Sequence, residues 1–370
     1  MSTARKARRK GNRFRRHKRK AWLLRQREKK LERRNRKKNC PDSGFRPLAG
    51  IHLNARTKRS VNVDKEKMIT IALPEHLDFE DNYENTVSHF SVLREAVQNR
   101  KRIRSLDFSS IKFISPSAAL VLASEVDQWN QRIRGRLKAS LPSWDEDLKR
   151  LLCQMGYFEL LQIEKPATDW PTGKTTFLKF KRGQANEPNG GQLARQLRME
   201  IEQIVGQKIK KHFLFEGLSE AITNVGQHAY RGIGDHKRRQ WWLSASFNSE
   251  DKTLCITFYD QGEGIPQTIP TSGIAEFIKD YSGFWSDSQK IKAATEVGRT
   301  ASGQAERGKG LQDLIVFAKA HSFGKLSIYS LRGLYMQMFS QNGIPAEQNS
   351  LRRDFENSIG GTLIEWSVKL

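Results

Sequence analysis

Residues 218–230 read Leu218-Ser-Glu-Ala-Ile-Thr-Asn-Val-Gly-Gln-His-Ala-Tyr230, and the fold hangs on how they are spaced. Leu218, Ala221, Ile222, Val225 and Ala229 follow the i, i+3, i+4, i+7 rhythm of an amphipathic helix. Glu220 and Asn224 stand four residues apart, so both project from one face, one turn from each other. The acid can orient or deprotonate a nucleophile, and the amide oxygen can take one corner of a Mg²⁺ octahedron. Taken alone, the stretch reads equally well as a solvated polar face. His228 lies a further turn along, where a satisfied structural histidine is favoured over a phosphate contact.

Three downstream segments extend the pattern. Leu254-Cys-Ile-Thr-Phe-Tyr259 reads as a buried strand running into Asp260-Gln-Gly-Glu-Gly-Ile265. Glu306-Arg-Gly-Lys-Gly-Leu311 opens an apolar helix, and Gly360-Gly-Thr-Leu-Ile-Glu-Trp366 is a glycine turn entering a strand. In this order the four segments resemble the N, G1, G2 and G3 boxes of the GHKL ATPases, the histidine-kinase-type (HATPase, Bergerat) ATP-binding fold. The wording of the first box is most similar to the anti-sigma-factor serine kinases of that superfamily. The resemblance covers residues 191–370.

The resemblance implies Glu220 as general base, Asn224 as Mg²⁺ ligand and Asp260 as acceptor for the adenine amino group. It implies that Thr362 supplies a hydroxyl to the water cluster beside adenine. Gly262 and Gly264 would let the backbone run against the base and adopt positive φ. Gly308 and Gly310 precede a helix start, where free N–H groups favour phosphate oxygens. Lys309 and Arg307 could add positive charge there, although each also reads as a solvated side chain. Ile265 and Leu311 close the two glycine boxes and complete the expected nucleotide contacts. Between Ile265 and Glu306 a long insertion is expected to be an ATP lid, with hinges at Gly273, Gly283, Gly298 and Gly303. None of the eight histidines is followed by an acidic residue, which argues against a self-phosphorylating histidine kinase.

Ahead of this region, strand and helix patterns alternate over 67–168 and imply a small α/β layer with parallel pairing. LDFSSIKFISPSAALVLA and SLPSWDEDLKRLLCQMGYFELL resemble the acceptor loop and closing helix of STAS domains, the fold of anti-sigma-factor antagonists. Family members carry Asp-Ser-Ser-Gly in that loop, whereas this chain has Ser115-Pro116-Ser117-Ala118. Ser115 and Ser117 are candidate acceptors, but an N-cap and first helical turn with Pro116 at N1 is the favoured reading. A degenerate docking domain for a protein partner is the expectation. The GKT at Gly173-Lys174-Thr175 is no P-loop, because the place five residues before Gly173 is Thr168.

The chain has 370 residues, long enough for two ordinary domains. Its charge is lopsided: residues 1–40 hold 20 Lys plus Arg against two Glu, a net +18 of the total +25. Residues 1–45 cannot bury enough apolar surface to fold alone and are expected to be a disordered basic arm. Arg8, Arg9, Lys10, Arg13, Arg15, Arg16, Lys18, Arg19 and Lys20 are its candidate contacts to nucleic acid. Another polyanion would suit the same charge. Three scattered cysteines fit a reducing compartment and exclude a disulfide scaffold. No apolar run approaches the roughly 18 residues of a membrane span, so a cytoplasmic protein is expected.

The expected architecture is a two-domain α/β protein: arm 1–45, linker 46–66, STAS-like domain 67–168, linker 169–190 and GHKL domain 191–370. The expected function is Mg²⁺-dependent ATP binding, with hydrolysis driving lid closure and partner regulation. A serine/threonine protein kinase shares the same pocket chemistry and stays open. So does a nucleic-acid-associated adaptor using ATP only as a regulatory ligand. A homodimer is among the assemblies left open.

Overall fold

The strand expected over 254–259 forms as β9 (Thr253–Asp260) and lies inside an eight-stranded sheet. The computed structural model describes residues 69–98, 103–132, 138–139, 146–164, 173–186, 189–209, 211–231, 239–269, 285–296, 310–340 and 349–370. The basic arm, and with it Arg8 to Lys20, lies outside them, as do Gly308 and Lys309.

The sheet also holds β6 (Thr175–Phe177), β7 (Lys181–Gln184), β8 (Gln240–Asn248), β10 (Phe323–Ser330), β11 (Gly333–Ser340), β12 (Ser350–Asp354) and β13 (Thr362–Lys369). Its order is β12-β11-β10-β13-β9-β8-β6, with β7 also on β8, and every pairing is antiparallel. Because strand side chains alternate between faces, Leu254, Ile256 and Phe258 point one way and Tyr259 the other. Both sets are buried, so each face carries its own layer.

One face is covered by α5 (Gly190–Val205), α6 (Lys211–Asn224) and α9 (Gly310–Lys319). Leu197, Ile201, Leu218, Leu314 and Phe317 meet Phe258, Leu326, Ile364 and Trp366 there. The opposite face receives the chain's first half. Here β1 (Ile69–Ala72), β3 (Ile103–Asp107) and β5 (Lys138–Ala139) form a three-stranded sheet in the order β1-β3-β5. Both pairings are parallel, as the alternating pattern predicts. The pair β2 (His76–Leu77) and β4 (Phe113–Ile114) is parallel too. The helices are α1 (Tyr83–Gln98), α2 (Pro116–Arg132), α3 (Glu146–Met155) and α4 (Tyr157–Leu161).

Every residue of α2 from Ser117 to Trp129 is buried, as required of a helix caught between two sheets. Its start follows the capping rules: the Ala118 N–H donates to Ser115 Oγ at 3.3 Å, with Pro116 as first helical residue. Ser115 and Ser117 are buried, and their hydroxyls lie 3.2 Å apart.

Two observations bear on the expected boundaries. The segment 169–190 carries β6 and β7, both paired to β8, so it is sheet rather than simple linker. All described residues lie in one compact unit, with one apolar cluster on each face of the large sheet. The physical reason is the shared filling: Trp242, Tyr259, Tyr329 and Leu363 from the large sheet enter the same apolar cluster as Leu106, Phe108 and Leu152. Burying one such indole covers on the order of 200 Å², an upper bound of roughly 5 kcal/mol. A cleft between independent domains would forfeit that contribution. Among the described residues no helix is long and apolar enough to cross a membrane.

Candidate functional site

Parity along β9 decides what faces the helices. Asp260 follows Ile256 and Phe258 on the helix side, and the register sets it opposite Thr362 of β13. Thr362 in turn is opposite Ser330 of β10. Three adjacent strands therefore end in a polar row, with Ser330 Oγ and Thr362 Oγ1 2.9 Å apart. Ser330 also accepts the Ile265 N–H at 2.9 Å, fixing the start of the short helix α7 (Ile265–Thr268).

A cavity of about 220 Å³ opens over Asp260 and Thr362, with Ser330 behind them. Asn224, Val225, His228, Asp260, Ile265 and Thr362 are on its wall, together with Ala221, Phe258, Gly264, Leu311 and Ile364. The sequence-predicted residues Asn224, Asp260, Gly264, Ile265, Leu311 and Thr362 thus converge on one space. Its surface is mainly aliphatic and aromatic, with few polar groups, the usual composition of a small-molecule site.

Asp260 is the polar group most changed by the surroundings. It is only 5% exposed, and burial pushes its carboxyl up to about 7. The Gly262 N–H, donating to Oδ1 at 2.8 Å, opposes that rise. Among the described residues Oδ2 has no partner, and Asp260 lines the cavity. That oxygen is not one of the sealed, unpartnered atoms of the described residues, so it opens onto the cavity, where a ligand N–H could donate to it.

Gly262 departs from the expectation. It is not on the cavity wall and works from behind. A Cβ there would come within 2.3 Å of the Ala229 carbonyl oxygen, so the requirement is close approach rather than positive φ. Positive φ is needed at Gly361 (φ 116°), where a Cβ would also meet the Asp260 carbonyl oxygen at 2.0 Å.

Glu220 is half-buried and does not line the cavity; it sits one turn before Asn224 on α6. Burial, and then the charge of Asp313 on α9, raise its carboxyl above the ordinary value. Asn224 bonds to it and opposes the rise. Asn224 lines the cavity, and a carboxamide oxygen there could hold a cation. Among the described residues no three His, Cys, Asp or Glu cluster to hold a metal by themselves.

The helical periodicity breaks just after Asn224. Val225–Ala229 is a single π turn, a widened turn often found at functional sites. It offers the Ala229 carbonyl to the Glu263 N–H at 2.7 Å, clamping the Asp260 loop to α6. It also puts His228 on the cavity wall. Arg231 Nη2 lies 2.7 Å from His228 Nδ1, so the proton is assigned to Nε2. Burial and Arg231 lower the ring's pKa, which keeps it neutral. The expected structural bond is present, and the ring faces the cavity as well.

Part of the expected lid is docked. A helix α8 (Asp287–Glu296) packs with Ile291 buried, and Ala294 lines the cavity. Asp354 caps its start, accepting the Ser288 N–H at 2.9 Å and the hydroxyl at 2.7 Å. The hinge candidates Gly273, Gly283, Gly298 and Gly303 lie outside the described residues. Gly310 begins α9.

Sequence reasoning missed Ser330 and Asp313. Ser330 sits in no motif and is found only through strand register. Asp313, three residues past Gly310, carried a signal as an acid in the first turn of an expected helix. No protein-family model and no curated protein matches this sequence.

Proposed function

We propose that the cavity binds ATP with Mg²⁺ in the manner of the GHKL ATPases, and that hydrolysis drives a conformational switch. A STAS-like layer forms the other half of the same unit in this reading. The observation that carries it is Asp260: a buried carboxylate with Oδ2 unpartnered on the wall of a largely apolar cavity. Adenine presents an amino donor where guanine presents a carbonyl oxygen, so one fixed acceptor selects between them. Phe258, Val225, Ala221 and Ile364 supply apolar surface for the purine faces.

Asn224 would hold Mg²⁺ through its carbonyl oxygen, with phosphates and water supplying the remaining ligands. Bound there, Mg²⁺ would supply charge neutralisation at the phosphoryl oxygens. Glu220, its pKa raised toward the working pH, would orient a water and take its proton. The first N–H groups of α9, from Gly310, favour an anion at the cavity's open end. Gly308 and Lys309 belong to the proposal through sequence alone.

Ser115 and Ser117 are buried in the layer on the opposite face of the sheet from the cavity. That separation favours water over an in-chain hydroxyl as nucleophile, and so hydrolysis over self-phosphorylation. The basic arm is assigned to a polyanion, nucleic acid first. Deleting residues 1–40 should abolish salt-sensitive RNA or DNA binding and leave ATP affinity unaltered; equal nucleic-acid binding by the truncated chain rules the arm out.

Titration calorimetry with ATP and Mg²⁺ tests the pocket. Asp260→Asn can retain the Gly262 bond through its carbonyl but turns an N–H₂ toward the ligand's amino group. Affinity should fall about tenfold to a hundredfold, the range for a lost hydrogen bond to a charged acceptor. Unchanged affinity would overturn the adenine assignment.

A further inference from the structure

The same strand end that aims Asp260 into the cavity aims Tyr259 the other way, into a buried ion pair from the first layer. Arg94 of α1 donates through Nε to Glu125 of α2 at 2.5 Å, with side-chain exposures of 18% and 4%. Arg94 Nη2 also donates to the Tyr259 hydroxyl at 3.2 Å. That hydroxyl bonds onward to the Gly360 carbonyl at 2.9 Å, one residue from Gly361. A Cβ on Gly360 would meet Arg94 Nη1 at 2.4 Å, so the guanidinium lies directly against the turn. Glu125 reaches the other loop: the Gln261 side-chain amide donates to its Oε1 at 3.0 Å. The backbone N–H of Gln261 is held by the Tyr230 hydroxyl at 3.1 Å.

One ion pair in the first layer therefore grips both loops flanking the Asp260–Thr362 row, from the side away from the cavity. A buried pair of this kind adds little net stability compared with apolar filling, whereas it fixes geometry through directional bonds. Small residues would have sealed the same space without reaching either loop.

We propose that Arg94 and Glu125 are positioning residues for the cavity, by which the first layer sets how tightly the purine is held. The inference rests on the nucleotide reading above. The alignment of Asp260 depends on the loop 260–262, and Gln261 is the point through which Glu125 holds it. A shift in how the first layer packs, on binding a partner, then changes nucleotide affinity without touching the nucleotide.

The experiment compares the full-length chain with Gln261→Ala, Glu125→Gln and the double variant, by hydrogen exchange and by ATP titration. Gln261→Ala removes one grip and leaves the ion pair intact, so it keeps the test valid if Glu125→Gln folds poorly. Expected are faster exchange at 260–262 without change across β10 or α6, and ATP binding weakened about tenfold. The double variant should bind no worse than the weaker single one, because both cut the same link. Unaltered exchange at 260–262 overturns the positioning role, whatever ATP does. Faster exchange with full ATP affinity overturns its link to the cavity. If the parent chain binds no ATP while exchange still rises, the nucleotide reading falls and the positioning of the loop stands.

Discussion

The two faces of the eight-stranded sheet are built from the same strands and differ at a single register. On the face toward the first layer, Trp242, Tyr259 and Leu363 are buried in one apolar cluster, and Arg94 and Glu125 close the end. On the helix face, Asp260, Thr362 and Ser330 occupy the adjacent positions, and Asp260 and Thr362 line a cavity. The filled end ties both loops to the first layer, whereas the open end leaves room for the proposed ligand beside Asp260. Substitutions in the apolar filling of the first face should therefore cost stability, and substitutions at the cavity, or in the Arg94–Glu125 grip behind it, should cost binding or turnover.

The largest effect tests the filled face. Trp242 is fully buried, and its indole N–H donates to Asp127 Oδ2 at 3.0 Å. Trp242→Ala leaves a cavity and strips a donor from a buried acid, so unfolding free energy should drop by about 3–5 kcal/mol. A urea titration that shows less than about 1 kcal/mol would mean the indole is not closely packed on this face.

On the open face the counterpart is Glu220→Ala. Removal of a general base typically costs a hundredfold or more in rate, with ground-state binding kept. Radiolabelled ATP turnover near background with an unchanged binding isotherm is the expected pair of results. Equal turnover in variant and parent removes Glu220 from the chemistry.

Much of this contrast was legible in the residues. The four boxes gave Asn224, Asp260, Gly264, Ile265, Leu311 and Thr362, and these meet on one cavity because each sits at or beside the end of a strand or helix. Strand pairing could not be read the same way. Ser330 becomes visible only when β10 is known to lie against β13, a contact between residues 32 apart in the chain. The π turn was hidden too, since Val225 and Ala229 satisfy the 3.6-residue period on either reading. The strands within 169–190 are hidden in the sequence because Gly183 and its polar neighbours resemble a junction. There a Cβ would strike the Trp241 ring at 2.1 Å, so glycine is present for close packing under an edge strand. The shared core of the two halves was illegible for a simpler reason. Tyr259 and Trp242 look like ordinary strand residues until something is known to cover their side of the sheet.

The smallest effect sharpens the comparison by acidity. Tyr259 and Asp260 are neighbours, and burial raises the pKa of each, but only the aspartate comes within reach of ordinary pH, at about 7. Its folded value lies above its unfolded one, so the folded state takes up the proton first. The group's contribution to stability is then largest below about pH 4 and is lost as pH rises toward 7. Ligand binding runs the opposite way. An amino donor on the ligand prefers the ionised acceptor, and the ionised fraction climbs about tenfold from pH 6 to pH 8 for a group titrating near 7. ATP affinity should strengthen by up to that factor across the interval in the parent, beyond whatever trend Asp260→Asn retains from the phosphates alone. Parallel pH profiles for parent and variant would show that Asp260 is not the group meeting the ligand, and that the open end of the sheet is merely unfilled.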